Sequence, residues 1–433
     1  MSRADGIDRP RRRASVPRAA LLTLTACIGC VRGPSAGPPP PSGKSMDEYL
    51  AEAPPARRKP PPGTRESDAM RLHVIDVGQG AAQLIEFPCG AVLVDTGGEK
   101  NQLFDGEKAL LGYLDRFFER RSDLQRTIAL LVITHPHIDH TRGIAAVLER
   151  YQVLNVVDNG DVREDEGGRP QLAMHDWLTR NPAVGHLDLS RSEIPDGEGL
   201  TSPVIDPVGP CAASQVDPVL RAVWSGDLGR EEVGHDPNND SVVMRVDFGE
   251  SSALLPGDIE VLAIARMVKK HQANPELLDV DIYVVPHHGS RHSTTADIVA
   301  RATPEVAVIS AGPYQRHLRI KEEYTARAFA HPHQIAIDHL TQKKSGVSGR
   351  RPGPIAVWVG QRGAWQGRPS EFQKRTLSAA VYATSWDGTV VVTGNASGWI
   401  EVATARTQPR GVRGGLRSGA PPGPADTRPA RRR

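Results

Sequence analysis

The sequence predicts an α/β fold in which two sheets pack face to face and helices lie outside them. Three observations point there. Apolar runs of strand length alternate with segments of helical spacing. Three short strands form a meander before the first helix. Several strands end abruptly in turns rich in Gly, Asp and His, where open α/β folds place their sites. A length of 433 residues admits one large domain or two ordinary ones. No internal repeat and no second hydrophobic block long enough to stand alone is visible, so one domain over residues 70–405 is expected.

Residues 72–77 alternate and break at Gly78-Gln79-Gly80. Residues 82–87 and 91–94 follow as strands two and three, joined at Cys89-Gly90. Residues 108–119 (KALLGYLDRFFE) carry apolar side chains at helical spacing. The continuous apolar run 128–133 (IALLVI) suits a strand covered on both faces. Residues 143–151 predict the next helix. Further strands are expected at 241–248, 252–255, 282–285 and 306–310, with a helix over 260–271. Two stretches, 163–209 and 341–375, are loop-rich and show no period that assigns them; the second holds several basic residues.

The ends of the chain have a different character. Arg9, Arg11, Arg12, Arg13 and Arg18 precede a short apolar run, 19–26, which is too short to span a bilayer as a mature helix. The run closes on Leu24-Thr25-Ala26-Cys27, which resembles the lipobox of bacterial lipoproteins; the alternatives are an ordinary signal or a basic leader. Residues 1–27 are therefore expected to be an export leader, with membrane anchoring through a lipid on Cys27. Residues 28–69, dense in Pro, suit a semi-extended tether. The expected location is the periplasmic or outer face of the cell envelope. Residues 406–433 are basic and Pro-rich and predict a disordered tail. A net charge of +2 leaves no global electrostatic footprint for nucleic acid. Of four cysteines, Cys27 and Cys30 belong to the signal region, and Cys89 and Cys211 remain and could pair in an oxidising compartment.

The chemistry concentrates in Thr134-His135-Pro136-His137-Ile138-Asp139-His140, directly after the apolar run 128–133. Imidazole and carboxylate are the ligands that borderline divalent ions prefer. His135 and His137 share one side of an extended loop and can serve one ion. Asp139 and His140, where a helix begins, can serve a second. Two further strands end in ligands: Leu254-Leu255-Pro256-Gly257-Asp258 and Val284-Val285-Pro286-His287-His288-Gly289-Ser290.

The loop THPHIDHTRG resembles the His-x-His-x-Asp-His signature of the metallo-β-lactamase superfamily. Within that superfamily HVIDVGQG, VLVDTGG, NNDSVV, LLPGD and VVPHHGS are similar, in order, to the soluble hydrolase domain of ComEC-type competence proteins and its free-standing relatives. VYATSWDGTVVV resembles that domain's closing hairpin. The resemblance implies a four-layer αββα sandwich with the site at one edge. It implies His135 and His137 on one metal, Asp139, His140 and His287 on the other, and Asp258 between them. Asp95 would steer ligands without binding metal. His288 would either contact substrate or make a structural hydrogen bond. The further His ligand of true β-lactamases has only His175, His186 and His235 as candidates here, and none follows a clear strand. Asn238 occupies a comparable stretch, and His317 is a candidate for a late family His. Ala81-Ala82 stand where the family usually carries a small polar or acidic residue. The membrane-spanning channel of ComEC proteins does not carry over.

The expected cofactor is one or two divalent ions, zinc for the His-rich set and manganese if oxygen ligands dominate. The expected activity is hydrolysis by metal-activated water, with Asp139 or Asp258 orienting the nucleophile. Phosphodiesters come first as substrate, in nucleic acid or in an envelope polymer. The alternatives are a β-lactamase-like amide or thioester hydrolase and a catalytically silent binding module.

Overall fold

The structure is a computed structural model that describes residues 68–161, 163–191, 194–226, 236–313, 329–363 and 370–405. The expected leader, tether and basic tail lie outside these residues, as do His235 and His317.

Strands β1 (Ala69–Val74), β2 (Gln83–Phe87) and β3 (Gly90–Val94) open the fold as an antiparallel meander. Helix α1 (Gly106–Arg120) starts where the Asp105 carboxylate accepts from Lys108 N, and buries Leu110, Leu114, Phe117 and Phe118 along one stripe. Next come β4 (Thr127–Ile128), β5 (Leu130–Ile133), α2 (Ile138–Thr141) and α3 (Ile144–Arg150). They lead to β6 (Gln152–Val153), β7 (Asn155–Asp158), α4 (Gly168–Arg180) and β8 (Gly185–Asp188). The second half begins with β9 (Pro218–Trp224), β10 (Val243–Phe248), β11 (Ser251–Leu255) and α5 (Val261–Lys270). It continues through β12 (Ile282–Val284), α6 (Ala296–Ala302), β13 (Val306–Ile309) and α7 (Gln334–Leu340). The chain closes with β14 (Arg350–Arg362), β15 (Glu371–Ala379), β16 (Val381–Ala383), α8 (Thr384–Asp387), β17 (Val390–Asn395) and β18 (Ile400–Thr404).

Two sheets carry the domain. One has the order β18-β17-β1-β2-β3-β5-β7-β8 and the other β16-β13-β12-β11-β10-β9. Successive residues of the first sheet alternate between two cores, as the twofold period of a strand requires. Leu72, Val74, Ile85, Phe87, Val92, Val94, Leu130, Val132 and Val157 face the second sheet. Ile75, Leu84, Leu93, Leu131, Ile133 and Val156 face the outer helices, which supply Leu110, Phe117, Val147 and Met174. On the far side, α5, α6 and α7 contribute Ile264, Met267, Ile298, Val299 and Ile337 to the core around the second sheet. The expected αββα sandwich is the architecture observed, and the apolar run over 128–133 is continuous because both of its faces are covered.

Three segments differ from the sequence expectation. The stretch 163–209 contains α4 and β8, whose helical stripe (Gln171, Met174, Leu178) is short and begins behind Gly167-Gly168. The stretch 341–375 contains most of a long hairpin, β14 with β15, that pairs with neither main sheet. Residues 381–392 are not a hairpin. β16 runs parallel to β13 in the second sheet, whereas β17 runs antiparallel to β1 in the first. Helix α8 and Gly388, at φ 69°, carry the chain across the sandwich between them.

Cys89, in the β2–β3 turn, forms a disulfide with Cys211, with Cα atoms 5.8 Å apart. The bridge closes a loop of 122 residues that includes α1 to α4 and the loop after β5. Closing a loop of this length restricts the unfolded chain strongly. Replacing Cys211→Ser is expected to cost about 2–5 kcal/mol of unfolding free energy, read by urea denaturation of the oxidised protein. Peptide mapping without reductant should recover Cys89 and Cys211 in one linked species; finding both as free thiols would overturn the assignment.

Candidate metal centre

The topology decides where ligands collect. β3, β5 and β7 are parallel neighbours in the first sheet, and β11, β12 and β13 are parallel neighbours in the second. Their carboxyl ends deliver Asp95, the 134–140 loop, Asp258, the 287–288 turn and Ser310 to one edge of the sandwich. The loop after β5 is held against the β3 end by close backbone contact. A Cβ on Gly97 would stand 1.6 Å from the Asp139 carbonyl oxygen, so only glycine allows this approach. Thr96 N donates to the His140 carbonyl across 2.8 Å.

His140 sits at the centre of the site and is fully buried. Its Nδ1 donates to Asp95 Oδ2 at 2.7 Å. Asp95 also accepts from Thr134 N and Thr134 Oγ1, each at 2.8 Å. This fixes the ring so that Nε2 faces Asp258 Oδ2, 3.2 Å away. His135 Nδ1 lies 3.1 Å from Thr134 Oγ1 and 3.3 Å from Ser241 Oγ. Ser241 Oγ also accepts from Asp258 N at 3.0 Å, so this one hydroxyl links His135 at the end of the first sheet to Asp258 at the end of the second. His137 Nδ1 stands 3.0 Å from His135 Nε2, so the pair expected to share an ion is side by side.

The two histidines after β12 fall differently from expectation. His287 and His288 both adopt the left-handed region, at φ 49° and 55°, a strained conformation for residues with a Cβ. The turn drives His288 inward. Its Nδ1 donates to Ser310 O at 2.7 Å, and its Nε2 lies 3.2 Å from Asp139 Oδ2 and 3.4 Å from Asp258 Oδ2. His287 stays partly exposed, with Nε2 3.8 Å from Asp258 and Nδ1 3.1 Å from Glu260. The inner position expected of His287 is therefore taken by the ring of His288, because the backbone turn buries the second ring and not the first.

Two sets of donor atoms converge within 4.8 Å: His135, His140 and Asp258, and Asp139, His140 and His288. The His140 and His288 Nε2 atoms are buried without a hydrogen-bond partner among the described residues, although carboxylate oxygens stand close by. Imidazole nitrogens and carboxylate oxygens that converge this closely in a buried pocket form a donor set that suits a shared cation. The electrostatics agree. Burial raises the Asp258 carboxyl, but His140, His288 and His287 outweigh it and hold it well below the usual carboxylate range. Burial lowers His288, but Asp258 and Asp139 outweigh it and push it up to about 10. His140 is pushed up by the same kind of contest with Asp258 and Asp95. His135 goes the other way: burial, then His140 and His137, keep it neutral. Three buried carboxylates within one cluster call for positive charge, and the residues present fit one or two divalent ions.

The remaining candidates are placed as follows. Asn238 is buried in the turn that leads to Ser241, and its Oδ1 has no partner among the described residues. His175 and His186 meet Asp158 instead of this site. The sequence missed two residues. Ser241 supports both His135 and Asp258. His331 is half-buried, with its ring 5.5 Å from that of His287 and 6.2 Å from that of His288.

Comparison with known proteins matches the sequence to a family. The model of the metallo-beta-lactamase superfamily matches residues 75–312, more than half of the chain. ComE operon protein 3 of Bacillus subtilis (strain 168) is 25% identical over 303 residues, covering 64% of this chain and 34% of its own length. Recombination protein 2 of Haemophilus influenzae (strain ATCC 51907 / DSM 11121 / KW20 / Rd) is 25% identical over 281 residues, covering 64% and 27%. The uncharacterized protein YcaI of Escherichia coli (strain K12) is 26% identical over 251 residues, covering 57% and 26%. The chain spans no more than about a third of the length of these relatives. The order of motifs along the strand ends, the two donor sets they build and the match over 75–312 make the chain a member of the metallo-beta-lactamase superfamily.

Proposed function

We propose that this chain is a metal-dependent hydrolase of phosphodiesters, exported and held at the membrane by its N-terminus. The observation that carries the reading is the convergence of two buried imidazole nitrogens, His140 Nε2 and His288 Nε2, on the carboxylates of Asp139 and Asp258. His135 and His137 would hold one ion, and Asp139, His140 and His288 the other, with Asp258 beside both. When bound, such ions supply Lewis acidity and make water nucleophilic at neutral pH.

The protein's own part is preorganisation. Asp95 holds the proton of His140 on Nδ1 and leaves Nε2 for the metal; the Ser310 carbonyl does the same for His288. Asp139 and Asp258 are kept ionised by their imidazole neighbours and can orient the attacking water. The relative named recombination protein 2 favours a nucleic-acid phosphodiester, and the expected tether favours a polymer met outside the cytoplasm. The Cys89–Cys211 bridge supports an oxidising compartment.

Two outcomes test this. Full-length protein stripped by a chelator should lose hydrolysis of bis-p-nitrophenyl phosphate and regain it with zinc or manganese. His137→Ala should stay at least about 100-fold slower under the same conditions. A protein with metal demonstrably bound that cleaves nitrocefin but no phosphodiester would move the assignment to amide hydrolysis. Asp95→Asn should weaken metal binding about 10–100-fold in chelator competition, because with the amide oxygen on Thr134 N the amide NH2 faces His140 Nδ1 and cannot accept its proton. Unchanged affinity would remove Asp95 from that role.

A further inference from the structure

A second group of ligand-type side chains lies on the helix-covered face of the first sheet. Asp158 is the last residue of β7, two positions after Val156, which faces the outer helices; its carboxylate is therefore directed under α4 and is fully buried. Two imidazoles reach the same oxygen. His175 Nε2, from α4, stands 3.1 Å from Asp158 Oδ2, and His186 Nε2, from β8, stands 2.8 Å from it. The two rings are 5.4 Å apart at 49°, and their side chains are 21% and 30% exposed. The other carboxylate oxygen is already taken, by Gly160 N at 2.7 Å and Gln171 Nε2 at 3.3 Å. One oxygen and two imidazole nitrogens thus form a small tripod, all within 4.8 Å, that opens toward solvent.

We propose that Asp158, His175 and His186 form a second metal site, structural in role, that takes a divalent cation of the zinc class with water completing its shell. Two imidazoles and one carboxylate are a donor set such ions accept. Ligands about 2.0–2.1 Å from a tetrahedral ion stand roughly 3.3–3.4 Å apart, so the rings need withdraw only by a few tenths of an ångström. The surrounding field favours a cation, since Asp188 and Asp176 add to Asp158 in acting on His175. The three ligands come from three consecutive elements, β7, α4 and β8, so an ion joins the helix to the sheet. It also anchors the connection between β7 and α4. That connection ends at Gly167, whose carbonyl accepts from Thr141 Oγ1 at 2.7 Å and whose Cα leaves no room for a Cβ beside Pro136 and His137. The second ion would thereby brace the loop that carries His137.

The test is metal content of the full chain, untagged, loaded with zinc and dialysed. His175→Ala should lower bound zinc by one equivalent per chain and lower the melting temperature of the zinc-loaded protein, with the circular dichroism spectrum unchanged. His175→Cys loaded with cobalt should show a thiolate-to-cobalt charge-transfer band that wild type lacks. Equal zinc content in wild type and His175→Ala, or no thiolate band in His175→Cys, would reduce the group to a hydrogen-bonded triad. Phosphodiesterase activity is not the readout, so this result is independent of the assignment of the main site.

Discussion

A buried line of charge, Asp95 to His140 to Asp258, joins the two sheets of this protein. Asp95 ends β3 in the first sheet, Asp258 follows β11 in the second, and the His140 ring lies between them with no exposure to water. An ionised carboxylate removed from solvent is tolerated only where opposite charge and hydrogen bonds meet it. The remainder of the site is built to meet that requirement. Thr134 supplies two donors to Asp95, and His288 approaches Asp139 and Asp258 from the far side. A divalent ion satisfies the same demand more completely than protons on imidazole, which connects the stability of the sandwich edge to its chemistry.

The sandwich makes that edge possible. In each sheet the strands that end at the site are parallel, so their carboxyl ends arrive together and their loops meet across the gap. Packing on both faces keeps the strands rigid. Gly97 then lets the 95–98 turn lie directly on the 139–140 backbone, so the ligand loop has little freedom left. The strain of two successive left-handed histidines is sustained in this setting, between β12 and the Ser310 carbonyl.

Much of this was legible in the sequence, for physical reasons that are local. The doubly covered strand at 130–133 must be apolar throughout, and it is. The ligand set after it is compact because one loop supplies it. Strands that end in Gly-Asp or His-His announce themselves as turns carrying ligands. The helix stripe of α1 and the meander before it follow from period alone. The segments that were not legible lack such a period: α4 shows only a short buried stripe, and β14 and β15 pair with each other outside the main sheets, where alternation is weak.

By itself, then, the sequence determined the fold class, the chemical nature of the ligands and the strand ends that carry them, because each is set by residue type and short-range spacing. Tertiary structure decided which ring of His287-His288 turns inward, since both are identical in type and only the backbone turn against Ser310 separates them. It decided that His331 joins the site from a distant segment, that residues 381–392 divide between two sheets, and that His175 and His186 gather on Asp158. These are contacts between residues far apart in the chain, and no local pattern encodes the distance between them.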